Sequence, residues 1–280
     1  MGALEFGFMQ RALVACTVIA AAAPLVGCFI VQRRQSLIGD GMGHMAFAGV
    51  GLAFLVGLNP LVGALALTIV AALALVRLSR AGVGGDLSLA LIFYGGIAAG
   101  FLFSARSGGG QNQILSLLFG SPLNLGWDQV GAVTALAAAV VLVVTVLYPQ
   151  LVALAFDEAA ARAAGVPTQG LVLALTVLVA LVVVGGMSSI GLLLISAMMV
   201  VPVATAAQVT SSYRATLWLA SAIGAVSAVA GLLIAFYANA PTGATIVLLS
   251  LGGYCATALI RLGVRSLRPV VRRSRRVAVR

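Results

Sequence analysis

The sequence predicts an all-α, polytopic membrane protein, a bundle of about nine transmembrane helices with eight to ten allowed. Hydrophobic residues form 62% of the 280 residues and charged residues only 8%, which is more apolar than a soluble domain of this length requires. The apolar residues occur in continuous runs, whereas the strands of a membrane β-barrel alternate apolar and polar residues. Since a helix needs about 20 apolar residues to cross the hydrocarbon region, each run predicts one spanning helix.

Nine runs fit this requirement, and two stretches leave the count open. The stretch around 187–188, "GGMSSIG", is either a tight turn outside the membrane or a break within one long element. The stretch 114–120, "ILSLLFG", is too short to span and predicts a re-entrant or interfacial piece. The predicted spans are, in order, 8–31, 38–57, 60–77, 86–104, 128–148, 169–187, 189–207, 214–237 and 243–262.

The arginines predict the orientation, because the chain contains no lysine. With the N-terminus outside, fourteen arginines lie on the cytoplasmic side and only Arg11 and Arg106 lie outside. Cytoplasmic loops carry the excess of basic residues in membrane proteins, so an N-out, C-in orientation is predicted. We expect a transmembrane domain over 1–265 and a basic cytoplasmic tail over 266–280, which anionic membrane lipids attract. Nucleic-acid binding is not expected, because no aromatic platform accompanies the arginines.

The sequence also argues against an enzyme. A Walker A loop needs a lysine for the phosphates, and a chain with one histidine contains no HExxH zinc motif. No GxSxG elbow occurs. A Ser/His hydrolase would use Ser188 or Ser189 with His44, but nothing in the sequence places these residues together. Transport, channel activity and scaffolding remain, and we expect no permanently bound cofactor.

The stretch "LIGDGMGHMAF" (37–47) contains the chain's one histidine, His44, four residues after Asp40. On a helix these positions lie on the same face, one turn apart. An ionised Asp within a span costs about 2.5–3.5 kcal/mol, so such residues face protein or a water-filled path. Carboxylate and imidazole form a partial ligand set for Zn²⁺, Mn²⁺ or Fe²⁺. Equally open is a structural interpretation, in which Asp40 interacts with the helix dipole and His44 lies at the interface.

Glycines favour the interpretation that this pair faces protein. Gly39 and Gly43 form a small-xxx-small pair, which permits close approach of a neighbouring helix. Plain helix packing explains such a pair as well, so the glycines support a metal site only together with Asp40 and His44.

The stretch "LVALAFDEAAARAAGVPTQG" (151–170) predicts a short helix in a cytoplasmic connection. Asp157 can cap it, the alanines propagate it, and Gly165 followed by Pro167 stops it. Arg162 lies four residues after Glu158 and can pair with it. Such a helix is suited to docking a cytoplasmic partner. The alternative is an interfacial helix that lies on the membrane.

Four stretches resemble, in family order, the metal-type ABC importer permeases, which serve uptake of zinc, manganese or iron. They are "RRQSLIGDGMGHMAFAGVGLAFLVG", "AFDEAAARAAGV", "GLLLISAMMVVPVATAAQVTSSYRAT" and "PTGATIVLL", and the resemblance covers about 10–265. It implies a type II-like ABC importer permease in which Pro202 breaks or kinks its span. It further implies that a D-x-x-x-H element faces the translocation path and that a coupling loop docks on the ATPase. The matching residues are Asp40 and His44 for the path, and Asp157, Glu158, Ala161 and Gly165 for the coupling loop.

The resemblance implies the partners too. A second permease copy is expected as a homodimer partner in the cell membrane, with cytoplasmic ABC ATPase subunits and an extracytoplasmic metal-binding protein that delivers the ion. The expected function is import of a divalent cation. Zinc ranks first, because each chain offers one imidazole and one carboxylate, and manganese or iron import by the same mechanism is the alternative.

Other classes stay open. A secondary transporter is expected to show internal repeats, broken helices and several intramembrane charges, and the sequence shows no clear repeat. A siderophore or cobalamin permease would share the fold, but its bulky ligand would not require an Asp/His pair. A scaffold protein would explain the glycine-rich packing but not the docking helix.

Overall fold

A computed structural model of the chain describes residues 5–107, 116–122, 125–192 and 194–277, with side chains described up to 263. The predicted all-α fold is confirmed, and the described part of the chain contains no strand. Its helices are α1 (Gly7–Gln32), α2 (Ile38–Val56), α3 (Pro60–Arg80), α4 (Gly85–Arg106), α5 (Trp127–Val146), α6 (Tyr148–Phe156), α7 (Glu158–Ala163), α8 (Thr168–Gly186), α9 (Ile195–Val209), α10 (Tyr213–Ala238) and α11 (Thr242–Val277).

Eight of the described helices are long and apolar enough to cross a membrane, namely α1 to α5, α8, α10 and the first part of α11. The remaining predicted span, 189–207, corresponds to α9, which is apolar but has only 15 residues. Each predicted span therefore has a helix, and the count falls within the predicted range. The N-out, C-in orientation stays a prediction from the arginine distribution.

Helix α1 lies at the centre of the bundle. It is the most buried of the eight long helices, and it packs against α5, α8, α9 and α10. Its large side chains Ile19, Leu25 and Phe29 are fully buried. Because α1 is held on several sides, the residue that follows it, Arg33, has a fixed position near the start of α2.

Helix α2 lies between α3 and α4, with which it makes its most extensive contacts. Gly57 ends it in the left-handed conformation (φ 71°), a conformation that glycine adopts without steric cost. The backbones of α2 and α3 touch at Gly49 and Gly63, where either Cβ would overlap the other glycine. This close glycine contact fixes the helix that carries Asp40 and His44.

An irregular segment, with described residues 187–192 and 194, separates α8 from α9. The backbone N–H groups of Ile190 and Gly191 both donate to the carbonyl of Gly186, at 2.9 and 3.2 Å, and Gly191 has φ 107°. The N–H of Leu192 donates to the carbonyl of Leu117 at 3.0 Å. Irregular backbone at membrane depth is tolerated where it is buried in protein, and Ile190 and Leu192 are indeed buried.

This segment corrects two expectations. The span predicted over 189–207 begins six residues later, at Ile195, because the N–H of Leu192 donates to the carbonyl of Leu117 and not to a residue one turn earlier in its own segment. Of the break or kink expected at Pro202, the break is absent, because α9 continues through that proline, and the kink stays a prediction. Of the two interpretations of "GGMSSIG", the structure has a buried break between two helices.

The described part of the short apolar stretch 114–120 packs against this break. Its described residues, 116–120, include Leu117, the acceptor for Leu192, and the next residue, Ser121, donates its N–H to the carbonyl of Ser188 at 3.2 Å. Residues 114 and 115 lie outside the described residues.

Helix α11 runs from Thr242 to Val277 without a break at 265. The division into a permease domain and a tail stays a prediction.

Candidate metal site and coupling segment

Asp40 lies in the first turn of α2, where its charge is favourable next to the helix N-terminus. The N-cap residue of α2, Leu37, has no side chain that could accept a capping hydrogen bond. Asp40 also has a tertiary partner, because Oδ1 accepts a hydrogen bond from the hydroxyl of Ser196, 156 residues away in the first turn of α9. A carboxylate has two oxygens, so this bond orients the side chain and leaves a second oxygen for another ligand.

His44 lies one turn further along α2 and contacts α4. Its ring is half-buried and packs edge-to-face on Phe93, with ring centroids 4.6 Å apart and an interplanar angle of 81°. Gly96 of α4 lies against the His44 backbone, and a Cβ built on this glycine would be only 2.8 Å from the His44 carbonyl carbon. Helix α4 therefore fixes both the ring and the backbone of His44.

The predicted small-xxx-small pair lies against the other side of the site. A Cβ on Gly39 would be 3.0 Å from the Ser196 Cβ, and one on Gly43 would be 3.2 Å from the Leu192 carbonyl oxygen. The two glycines thus let the broken segment and α9 approach α2 closely. Without this approach the Ser196 hydroxyl could not reach Asp40.

The donor set of one chain is small. Among the described residues no three His, Cys, Asp or Glu side chains form a group that could hold a metal ion. Asp40 and His44 share a helix face by their spacing, and Ser196 adds a hydroxyl oxygen beside Asp40. One chain thus offers a site that needs further donors, such as water or another chain.

Sequence reasoning missed Ser196 and Phe93. Both lie on helices distant in sequence from α2, and a lone serine or phenylalanine in an apolar run carries no local signal. The resemblance included Ser196 in a matched stretch but assigned it no role.

The coupling segment (157–165) has the predicted helix at its centre. Asp157 is the N-cap of α7, and its Oδ1 accepts from the Ala160 N–H at 2.9 Å. At the other end Gly165 has φ 81°, its N–H donates to Arg162, and the next N–H donates to the Ala161 carbonyl at 3.0 Å. This pair of bonds is a Schellman motif, which satisfies the last carbonyls of a helix.

The four residues matched to the coupling loop differ in exposure. Asp157 and Gly165 are exposed, Glu158 is half-buried, and Ala161 is buried. Ala161 therefore packs α7 onto the bundle rather than presenting a side chain to a partner. The adjacent Phe156 is an unpredicted feature of this surface, since its side chain is 60% exposed.

Polar contacts tie the segment to other parts of the chain. Glu158 Oε2 lies 2.9 Å from Arg33 Nη2, and Glu158 Oε1 lies 3.0 Å from Arg162 Nη2. The second contact is the predicted i,i+4 pair. The first joins the segment to the end of α1 and was not predicted.

A polytopic bundle with an oriented carboxylate on one span, an imidazole one turn away and a capped helix between two spans has the architecture of a transport permease. The chain matches the family model described as "ABC 3 transport family" over residues 5–260. It therefore belongs to this family, the permeases of metal-type ABC importers, and it is a multi-pass protein of the plasma membrane.

Similar proteins cover nearly the whole chain. "Manganese import system permease protein ScaB" of Streptococcus gordonii is 32% identical over 89% of this chain and 90% of the relative. "Manganese transport system membrane protein MntC" of Listeria innocua is 29% identical over 89% of each. Among solved structures, "PsaBC from Streptococcus pneumoniae in complex with Fab" superposes with a TM-score of 0.82 at 30% identity, covering 91% of this chain and 92% of the other.

Proposed function

We propose that this chain is the permease through which an ATP-driven importer moves manganese into the cell. Two relatives that match nine tenths of the chain carry manganese in their names, which favours manganese over the zinc expected from the donor types. Zinc is the second candidate, and the His44 imidazole is the observation in its favour.

The observation that carries the proposal is the hydrogen bond between Ser196 and Asp40. It orients the Asp40 carboxylate at the first turn of α2, and oxygen ligands suit Mn²⁺ better than they suit softer metals. His44 adds a nitrogen ligand that Mn²⁺ also accepts. The Asp40 charge offsets part of the cost of a dication in a low-dielectric setting.

A small donor set suits transport, because an ion must leave its site as well as enter it. In the proposed mechanism an extracytoplasmic metal-binding protein releases Mn²⁺ to a path between two copies of this chain. Asp40 and His44 of each copy then bind it transiently. The second copy would supply the donors that one chain lacks.

ATP hydrolysis is assigned to separate cytoplasmic ATPase subunits. The chain contains no lysine, so it has no Walker A loop of its own. The exposed part of the coupling segment, with Asp157 and the neighbouring Phe156, is the proposed docking surface. Closure of the ATPase dimer would move α7 and switch access to the path.

The test is metal uptake by proteoliposomes that contain the complete transporter with its binding protein. We expect ATP-dependent accumulation of radioactive manganese at a rate well above that of zinc at equal free concentration. Faster accumulation of zinc would overturn the metal assignment. Uptake that needs no ATPase subunit would overturn the importer mechanism.

A further inference from the structure

Arg33 connects the coupling segment to the start of the metal-site helix. Its Nη2 lies 2.9 Å from Glu158 Oε2, and its Nη1 donates to the Leu154 carbonyl at 3.1 Å. One guanidinium therefore holds the last turn of α6 and the first residue of α7 together. A planar fork of this kind fixes direction as well as distance.

The two arginines on Glu158 differ in burial. The Arg33 side chain is 12% exposed, whereas the Arg162 side chain is 63% exposed. Exposed ion pairs contribute little because water and salt screen them, whereas loss of one partner from a shielded pair leaves a charge without compensation. Arg33 is thus the partner that constrains Glu158, and Arg162 is a weaker contact to the same carboxylate.

The connection from Arg33 to α2 is short and fixed. Arg34 has φ 58°, and its N–H and that of Gln35 donate to the carbonyls of Val31 and Ile30 at 3.0 and 2.9 Å. These bonds form a Schellman motif at the end of α1, although a left-handed residue other than glycine carries a steric cost. The N–H of Ile38, the first residue of α2, then donates to the Gln35 carbonyl at 3.0 Å.

From these contacts we propose that Arg33 is a positioning residue, which transmits movement of α7 to α2 and so couples ATP hydrolysis to metal release. Only seven positions separate Arg33 from Asp40, and hydrogen-bonded turns fill the interval. A displacement of Glu158 therefore moves Arg33, the first residue of the segment 33–40 that ends at Asp40. The inference rests on the proposed function, because it assigns α7 to ATPase docking.

The experiment measures metal ions transported per ATP hydrolysed in proteoliposomes that contain the complete transporter. For Arg33→Gln we expect ATP hydrolysis to continue while this ratio falls by about 5-fold or more, the lower end of a typical coupling effect. Arg33→Lys keeps the charge facing Glu158 and should restore most of the ratio. Arg33→Gln combined with Glu158→Gln should lower the ratio by less than the product of the two single effects, because both substitutions remove the Arg33–Glu158 contact.

Two matched substitutions separate this role from a general loss of charge. Arg214→Gln removes an exposed arginine in the first turn of α10 and should leave the ratio unchanged. Arg162→Gln removes the other contact to Glu158 and should reduce the ratio less than Arg33→Gln does. Thermal melting of each purified complex checks that the variants are folded.

A wild-type ratio in Arg33→Gln would overturn the inference, and so would an equal loss in Arg162→Gln. An Arg33→Lys complex that melts like the wild type but transports like Arg33→Gln would overturn it as well. Failure of the proposed function gives a different result. If the wild-type complex moves zinc and not manganese, the metal assignment fails, while the ratio per zinc ion still tests Arg33.

Discussion

The proposed metal site and the proposed coupling segment are assembled from different ranges of the chain. The coupling segment is local, because Asp157 caps α7 and Gly165 ends it within nine residues. The metal site is non-local, because Asp40 on α2 is bonded to Ser196 on α9 and His44 packs against Phe93 on α4. The signals that start and stop α7 lie within its own sequence, whereas the proposed metal site exists only when three helices are in register.

Because of this difference, substitutions in the two regions should change different properties of the protein. A change in the coupling segment should lower the stability of one short helix. A change around the metal site should alter transport even where the chain still folds, because the donors depend on helix packing.

The largest effect is expected at Asp40. Asp40→Asn keeps the size of the side chain but removes its charge, and we expect manganese uptake to fall by more than about 100-fold, beyond the range typical of a ligand's supporting partners. Uptake is measured in cells that depend on this transporter. Asp86→Asn is the control, since Asp86 lies in the first turn of α4 and is exposed. If Asp40→Asn and Asp86→Asn support equal uptake, Asp40 is not a metal ligand and only stabilises the N-terminus of α2.

The contact between α4 and α2 gives the next largest effect. Gly96→Ala places a methyl group about 2.8 Å from the His44 backbone, and overpacking of this kind costs about 1–3 kcal/mol. We expect a lower melting temperature and reduced uptake. Gly95→Ala is the control, because its Cβ would meet nothing within 4 Å. If Gly96→Ala melts and transports like Gly95→Ala, α4 does not fix His44.

Ser196→Ala should have a smaller effect on transport. It leaves both proposed ligands in place but removes the hydroxyl that orients Asp40, and we expect uptake to fall by about 10-fold, as for other partners of metal ligands. Ser221→Ala removes a comparable interhelical hydrogen bond, which runs to the Ala21 carbonyl at 2.8 Å. That control should retain uptake. A wild-type rate in Ser196→Ala would show that Asp40 needs no orientation from α9.

The smallest effect is expected in the coupling segment. Gly165→Ala forces a residue with a side chain into φ 81°, which costs roughly 1–2 kcal/mol and destabilises the end of α7. Hydrogen exchange of the α7 amides should rise. Gly170→Ala, in helical α8 with open space at its Cβ, should show no increase. Equal exchange of the α7 amides in the two variants would mean that Gly165 does not stabilise the end of α7.

The sequence predicts features that depend on neighbouring residues better than features that depend on contacts between distant helices. The coupling segment was predictable, because the Asp157 cap and the Gly165 stop are local signals. Asp40 and His44 stood out because charged residues and histidine are so rare in this chain. Ser196 did not, because its position depends on where α9 begins, and hydropathy is continuous across the buried break that delays that start to Ile195.

Arg33 shows a second limit. Its position next to Arg34 at the end of a span indicates only a cytoplasmic anchor, which is how arginine near a helix end is normally interpreted. The structure pairs one of these two arginines with Glu158, 125 residues away. Sequence patterns report charge and depth but not which distant residue a charge will meet.

Manganese itself offers the most direct test of the metal site, because its unpaired electrons report the nuclei of its ligands. Pulsed electron paramagnetic resonance of the complete transporter, loaded with Mn²⁺ and held without ATP, should show a coupled imidazole nitrogen. That coupling should disappear in His44→Ala, and bound manganese should decrease in Asp40→Asn. Bound manganese that keeps the same nitrogen coupling in His44→Ala would contradict the assignment of this site.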